Sequence, residues 1–451
     1  MQLNEKRRGR SKRKRCRPET QIAPALAAAT CALLGPGTPT SVVAQEEALP
    51  ILTPWAIDTA MLYYGESDGR VRDFSLNAQA RKELKEDGFL TLNLALDTLT
   101  GASPNGAVPS SIPQTFTRPS GEDSYTIAAG EQPLDDTFQD TRVALGANWQ
   151  WPVTRLALLD IGVSFSDEYD YTHTGVNARI ARDFNNRNTT LSLGAALAND
   201  MIDPVGGAPR PLAPMLGLND LSNRQSGDQS KDVLDLLFGV TQVVNRNTVV
   251  QINYSLSSAD GYLTDPYKLL SVVDPDTGLP VAGPVGAGVN LHLYESRPET
   301  RDKQSLFVLL KRNFGGNVLD ASYRHMTDDW GIDSDTVDLR YRFALGADRY
   351  LQPHLRFYSQ NAADFYHTVL FDGQPVPQFA TADYRLGAFD AVTVGVKFGM
   401  DTRHGEISTR LELYQQTGEP DAAARVGVLS DLDLRPDMSA IIAQFSYKFG
   451  R

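Results

Sequence analysis

Cysteine is scarce: the chain of 451 residues has two, Cys16 and Cys31. Both fall before residue 45, so the chain after that point offers no disulfide framework and no thiolate ligand for a metal. Long apolar runs are also missing. The stretch 22–34 is too short to span a bilayer as a helix, which takes about 20 residues, and nothing later is longer. No Gly-x-Ser-x-Gly elbow, P-loop, dinucleotide fingerprint or His-Glu-x-x-His occurs. An enzyme would need residues scattered along the chain and assembled by geometry alone. There is no internal repeat of blade size, which argues against a propeller.

The N-terminus has a clear pattern. Residues 6–17 are dense in Lys and Arg, 22–34 are apolar or small, and Val42-Val43-Ala44 precedes Gln45. A basic region, a short apolar region and a small-x-small site make a secretory signal peptide, here 1–44, cut after Ala44. Arg7-Arg8 lacks the rest of a twin-arginine pattern, and Cys31 lacks a lipobox. Removing this segment, with nine basic and two acidic residues, takes the net charge from −12 to −19. So acidic a chain argues against nucleic acid as a partner. An exported chain of about 400 residues with no spanning helix is either a large soluble protein or a closed β-barrel in a membrane.

The body of the chain alternates with period two. Leu90, Leu92, Leu94 and Leu96 point one way, and Thr91, Asn93, Ala95 and Asp97 the other. The same alternation fills 140–151, 333–345, 406–416 and the last stretch, 438–449. Sixteen strands are predicted: 56–64, 71–86, 89–99, 140–151, 155–166, 171–184, 189–199, 231–245, 248–258, 303–312, 318–327, 333–345, 354–360, 388–399, 406–416 and 438–449.

Their connections alternate in length. Short ones at 85–88, 151–154, 185–188, 245–247, 313–317, 346–353 and 401–405 carry the Asn, Gly and Asp of tight hairpins. Between them fall long ones at 100–139, 200–230, 259–302, 361–387 and 417–437, with shorter ones at 65–70, 167–170 and 328–332. That asymmetry predicts an all-β transmembrane antiparallel barrel of about 16 strands, with short periplasmic turns and long extracellular loops, over a domain of 45–451. A soluble β-sandwich also has many short strands, but its loop lengths do not alternate so regularly. The final strand, ending Phe445-Ser446-Tyr447-Lys448-Phe449, resembles the closing strand of bacterial outer-membrane barrels, whose last residues the barrel-assembly machinery reads. Here Gly450 and Arg451 follow the terminal aromatic.

Four phrases resemble a family, domain of unknown function 3570: Gly261 to Lys268 (GYLTDPYK), Tyr294 to Pro298 (YESRP), Tyr323 to Ile332 (YRHMTDDWGI) and Leu355 to Tyr366 (LRFYSQNAADFY). The resemblance implies an outer-membrane barrel of Gram-negative bacteria and supplies neither an activity nor catalytic residues.

Charges avoid lipid, at about 2–4 kcal/mol for an Arg or Lys near the midplane, so strand phase places them in the lumen. The lumen-lining candidates are Arg81, Arg142, Arg324, Arg340, Arg342, Arg356, Arg410, Lys397, Asp97, Asp320, Asp338 and Glu412. They line an aqueous pore, or they pair across a plugged lumen, with loops 100–139 and 259–302 free to fold inward. Trp55, Trp149, Trp151, Tyr323, Tyr341, Phe445, Tyr447 and Phe449 suit interfacial girdles; Trp330, in a loop, does not. His173, His292, His325 and His367 fall at or beyond the external rim near Asp170, Asp328, Asp329 and Asp364, and read as solvated side chains in no metal-ligand spacing. Asp135-Asp136, Asp328-Asp329 with Asp333 and Asp335, and Asp431 with Asp433 read as solvated acidic loops, with a divalent cation bridging to lipopolysaccharide phosphates as the functional alternative. No catalytic residue, metal or cofactor is assigned.

Three functions stay open: a porin-like conduit for small polar solutes, a plugged barrel that binds a periplasmic or surface protein such as an electron-transfer protein, and a hydrolase at the rim. Expected partners are outer-membrane lipid, lipopolysaccharide and the assembly machinery, in the outer membrane of a Gram-negative cell.

Overall fold

The computed structural model describes residues 55–84, 87–284, 290–419, 425–435 and 437–449. The leader read at 1–44, with both cysteines, lies outside these, as do Gly450 and Arg451. In chain order the strands are β1 (Ala56–Glu66), β2 (Arg72–Glu83), β3 (Phe89–Pro104), β4 (Gln114–Thr117), β5 (Ser124–Ile127), β6 (Leu134–Thr154), β7 (Ala157–Asp167), β8 (Tyr171–Phe184), β9 (Thr189–Ile202), β10 (Gln229–Asn245) and β11 (Thr248–Gly261). They continue with β12 (Leu269–Val273), β13 (His292–Tyr294), β14 (Thr300–Phe314), β15 (Asn317–Asp328), β16 (Asp333–Ala344), β17 (Arg349–Gln360), β18 (Leu370–Phe371), β19 (Phe389–Thr402), β20 (Gly405–Gly418) and β21 (Met438–Phe449).

Sixteen of them, all but β4, β5, β12, β13 and β18, hydrogen-bond to their sequence neighbours and close into one barrel. Closure joins β21 to β1 in antiparallel register, Phe449 opposite Ile57 and Ala440 opposite Glu66. Each segment predicted as a strand overlaps one of these.

Alternation explains why this sequence closes. On β20, Leu411 and Leu413 are 53% and 60% exposed on the outside, and Glu412 between them is 4% exposed on the inside. A soluble fold reverses that arrangement, whereas a lipid-facing wall requires it. Leu92, Leu145, Val163, Leu197, Val394 and Phe445 continue the outward apolar band on other strands. Near the short turns it ends in aromatics: Trp149 lies tilted against Trp151, and Tyr341 and Tyr447 meet Phe343 and Phe449 edge-on.

Hairpins at the short end are tight. Asn185 and Asn186 turn between β8 and β9 with φ of 49° and 53°, a left-handed conformation that asparagine tolerates. Several strands run a few residues beyond the bounds read in the sequence, and two short turns fall differently, both at proline. The turn expected at 151–154 is strand: β6 runs on to Thr154 through a register shift at Pro152. The turn expected at 346–353 ends earlier, because β17 starts at Arg349 and carries Pro353 inside it. Proline lacks the N–H of a ladder, and the β16–β17 pairing is interrupted between Arg340↔His354 and Phe343↔Leu351.

The other end is closed over by a folded cap. The described parts of five long connections, 105–133, 203–228, 262–299, 361–388 and 419–437, pack on one another. They carry the hairpin β4–β5 and the small sheet β13–β12–β18. One apolar cluster joins Val108, Val273, Val369, Leu429 and Leu434, from four of these connections. A second gathers Leu270, Val272, Leu293, Leu370, Ala380 and Ala382, and a third Phe116, Met215, Leu269 and Tyr294. The long connections therefore build a core of their own.

Candidate functional site

Two regions carry unusual chemistry: the lumen wall and the cap. On the wall, the twelve charged residues picked from the sequence occupy the strand phase opposite to outward apolar side chains such as Phe74, Leu96, Val143, Leu339, Leu355 and Leu411, so their side chains point inward. The structure brings them together in different ways. Across β3 and β6, Asp97 and Arg142 are directly opposite and form an ion pair at 2.6 Å. Asp320 pairs with Lys311 at 3.4 Å.

The wall of β16 to β20 holds a longer network. Arg340, His354, Gly395 and Glu412 lie in one row across four strands. His354 contacts Asp338 through Nε2 at 2.9 Å and Glu412 through Nδ1 at 2.7 Å. Arg340 reaches Asp338 at 3.1 Å, and Arg410 lies 3.7 Å from Glu412. Gly395 makes the reach possible: a Cβ there would stand 2.4 Å from Glu412 Cγ. Without it Glu412 lies flat across β19 to meet the histidine.

Other cations have no such partner. Among the described residues Arg81, Arg324, Arg342, Arg356 and Lys397 make no ion pair. Arg81 rests on Phe89 at 4.0 Å and Arg324 on Phe307 at 5.6 Å. Arg342 and Lys397 share the ring of Tyr350, at 3.7 and 5.9 Å. Arg356 is exposed although it faces inward, so the wall at that height borders open space.

Sequence reasoning passed over His354 and Gly395. With β17 begun at residue 354, no alternation preceded the histidine to give it a phase. Gly395 carries no polar signal, because its role is the space it leaves.

In the cap, a buried ionic chain ties connection 262–299 to connection 361–388. Arg297 bridges Glu295 at 2.6 Å and Asp383 at 2.8 Å; Arg385 bridges Asp383 at 2.6 Å and Asp265 at 2.7 Å. Glu295 also accepts the Asp265 backbone N–H and the Thr381 hydroxyl. It is fully buried. Burial, with the nearby acids Asp265 and Asp383, outweighs Arg297 and pushes its carboxyl up to about 7. Asp383 goes the other way: against its own burial, Arg385, Lys268 and Arg297 hold it below the usual carboxylate range.

The rim histidines and acids differ in setting: His325 is solvated as expected, and others are not. His292 is buried in the cap against Phe116, ring centroids 4.8 Å apart, and burial pushes it down to about 4. His173 points into the lumen mouth and pairs with Asp200 at 2.7 Å. His325 faces outward beside Asp335 at 3.0 Å, and His367 is half-buried in the cap. Among the described residues no group of three or more His, Cys, Asp and Glu side chains is placed to hold a metal ion. Asp328 is not a solvated loop acid: it is buried, pairs with Arg301 at 2.5 Å, and accepts the N–H groups of Trp330 and Ile332. Trp330 itself anchors the cap to the rim. It is buried among Ile332, Ala363, Phe365 and Leu386, donates to Thr300 O at 2.8 Å, and lies under the Arg301 guanidinium. Asp333 and Asp335 are exposed at the outer rim, as are Asp431 and Asp433 in part. Asp135 lies on β6 at its cap end, and the Asp136 side chain lies outside the described residues.

The chain belongs to the family described as "Protein of unknown function (DUF3570)", which matches residues 23–449. No curated protein matches its sequence. Among solved structures it is similar to a bacterial polysaccharide outer membrane secretin, at 8% identity and a TM-score of 0.43, covering 89% of this chain and 100% of that one. It is similar to the ferric enterobactin receptor of Pseudomonas aeruginosa, at 10% identity and 0.41, over 81% of this chain and 54% of the receptor, so it spans about half that protein's length. It is also similar to Pseudomonas aeruginosa OccK3 (OpdO), at 10% identity and 0.38, over 88% and 95%. Likenesses this distant carry no argument about what the barrel binds or passes.

Proposed function

We propose that this member of the family is a porin-like conduit for small polar solutes, placed in the outer membrane with its cap outward. The observation that supports it is the unpaired, partly exposed charge on the inner wall, above all Arg356. A barrel of this strand number is wide enough to hold water, and charged side chains facing open space are kept cheaply only where water reaches them. In this reading residues 1–44 are an export signal, the last strand is the address read by the assembly machinery, and the rim meets lipopolysaccharide. The barrel is not an enzyme.

Planar-bilayer conductance of the refolded mature protein under a salt gradient tests the reading. Stepwise openings with a reproducible ion preference are expected. A folded, inserted and silent barrel would overturn it and favour the second reading, a capped barrel that binds a periplasmic or surface protein. The packed core of the cap favours that alternative.

A further inference from the structure

One row of the lumen wall consists of donors. Two residues nearer the short turns than His354, Gln352 lies opposite Lys397, Lys397 opposite Arg410, and Arg410 opposite Gln444. The register on either side of Pro353 sets Arg342 opposite Gln352 and extends the row to β16.

Lys397 and Arg410 are therefore like charges in direct cross-strand apposition, an arrangement that destabilises a sheet unless something negative lies between them. The nearest acids are shared with other groups. Glu412 lies 3.7 Å from Arg410 but is held closer by His354 at 2.7 Å, Asp338 is held by His354 and Arg340, and Glu406, near Lys397, accepts the Tyr350 hydroxyl at 2.8 Å. Arg410 donates to Gln444 Oε1 at 2.5 Å, but its buried Nε has no partner. The Gln444 amide nitrogen donates to Ser446 at 2.8 Å.

Tyr350 braces the row from below. Its ring lies across Gly399, where a Cβ would stand 2.2 Å from ring carbon, and carries the heads of both Arg342 and Lys397. Two cations share one aromatic support, and among the described residues neither forms a salt bridge.

We propose that this row is a binding station for small oxyanions, carboxylate or phosphate. The Arg342 guanidinium presents the planar fork that matches such groups, Lys397 adds a point charge, and the Gln352 amide adds a neutral donor. That the bound anion is a solute in transit rests on the conduit reading; the binding does not.

The test is isothermal titration of the folded mature protein in detergent with sodium phosphate and, separately, sodium acetate, at fixed ionic strength. Saturable binding of at least one is expected. Lys397→Met and Arg342→Gln should each weaken it by about tenfold or more. Arg182→Gln, which removes a charge from the outer face, should leave it unchanged. Heat-modifiable gel mobility reports folding; should Lys397→Met not fold, Gln352→Ala removes a donor without touching charge and should weaken binding to a lesser degree. No saturable binding by folded protein, or equal affinity in the folded variants, overturns the station. Conductance without oxyanion binding would do so and leave the conduit standing, and binding by a silent barrel would do the reverse.

Discussion

Leu92 and Asn93 are neighbours in sequence and face different media. Leu92 is 41% exposed on the outer wall, and Asn93 accepts a hydrogen bond from Gln79 at 2.9 Å inside. Leu92→Arg should cost about 2–4 kcal/mol where it meets the hydrocarbon, and Asn93→Arg should cost clearly less. Urea unfolding in lipid vesicles measures both, and equal costs would invalidate the assignment of faces. Glu295 poses the opposite problem, an acid with no route to water. Its folded value of about 7 lies above its ordinary 4.5, so the folded cap binds the extra proton. The penalty for ionising it is fully present above about pH 7 and fades as pH falls toward 4.5. His292, held down to about 4, acts in the contrary sense and loses stability as pH falls from 6.5. Glu295→Gln isolates the first effect. Hydrogen exchange in 262–284 should slow in the variant at pH 8 and match the native protein at pH 5; a variant that exchanges faster at pH 8 would contradict this sign.

The strands were legible and the cap was not, for one reason. A wall between lipid and water imposes a period of two, and sixteen segments display it. The cap faces neither medium. β4, β5, β12, β13 and β18 are two to five residues long, too short to show a period, and one pairing, β12 with β18, joins distant parts of the chain. Proline hid the start of β17 and with it the phase of His354. The four phrases that mark the family fall on the cap and its rim, and their residues are those that hold it: Asp265, Glu295, Arg297, Asp328 and Trp330. At the scale of this element, Trp330→Ala should remove about 3–5 kcal/mol of local packing. Limited proteolysis should then cut the cap connections faster while the heat-modifiable mobility of the barrel persists. Loss of both together would mean that cap and barrel fold as one cooperative unit.

For the whole molecule, the charge pattern of the wall predicts the sign of its selectivity. Five inward cations lack ion partners among the described residues, and the inward acids named here are paired. The reversal potential in a potassium chloride gradient should therefore report preference for the anion, despite an overall charge of −12 for the full chain. Cation preference would mean that the acidic exterior, not the lumen, sets the field.

The seam between β1 and β21 also orders events in time. Thr59 donates to Tyr447 O across 388 positions of sequence, so the ring cannot shut until nearly the whole polypeptide is present. The cap spans the same interval: Val108 packs with Leu429 and Leu434, which follow β20, so its core too joins the early and the late parts of the chain.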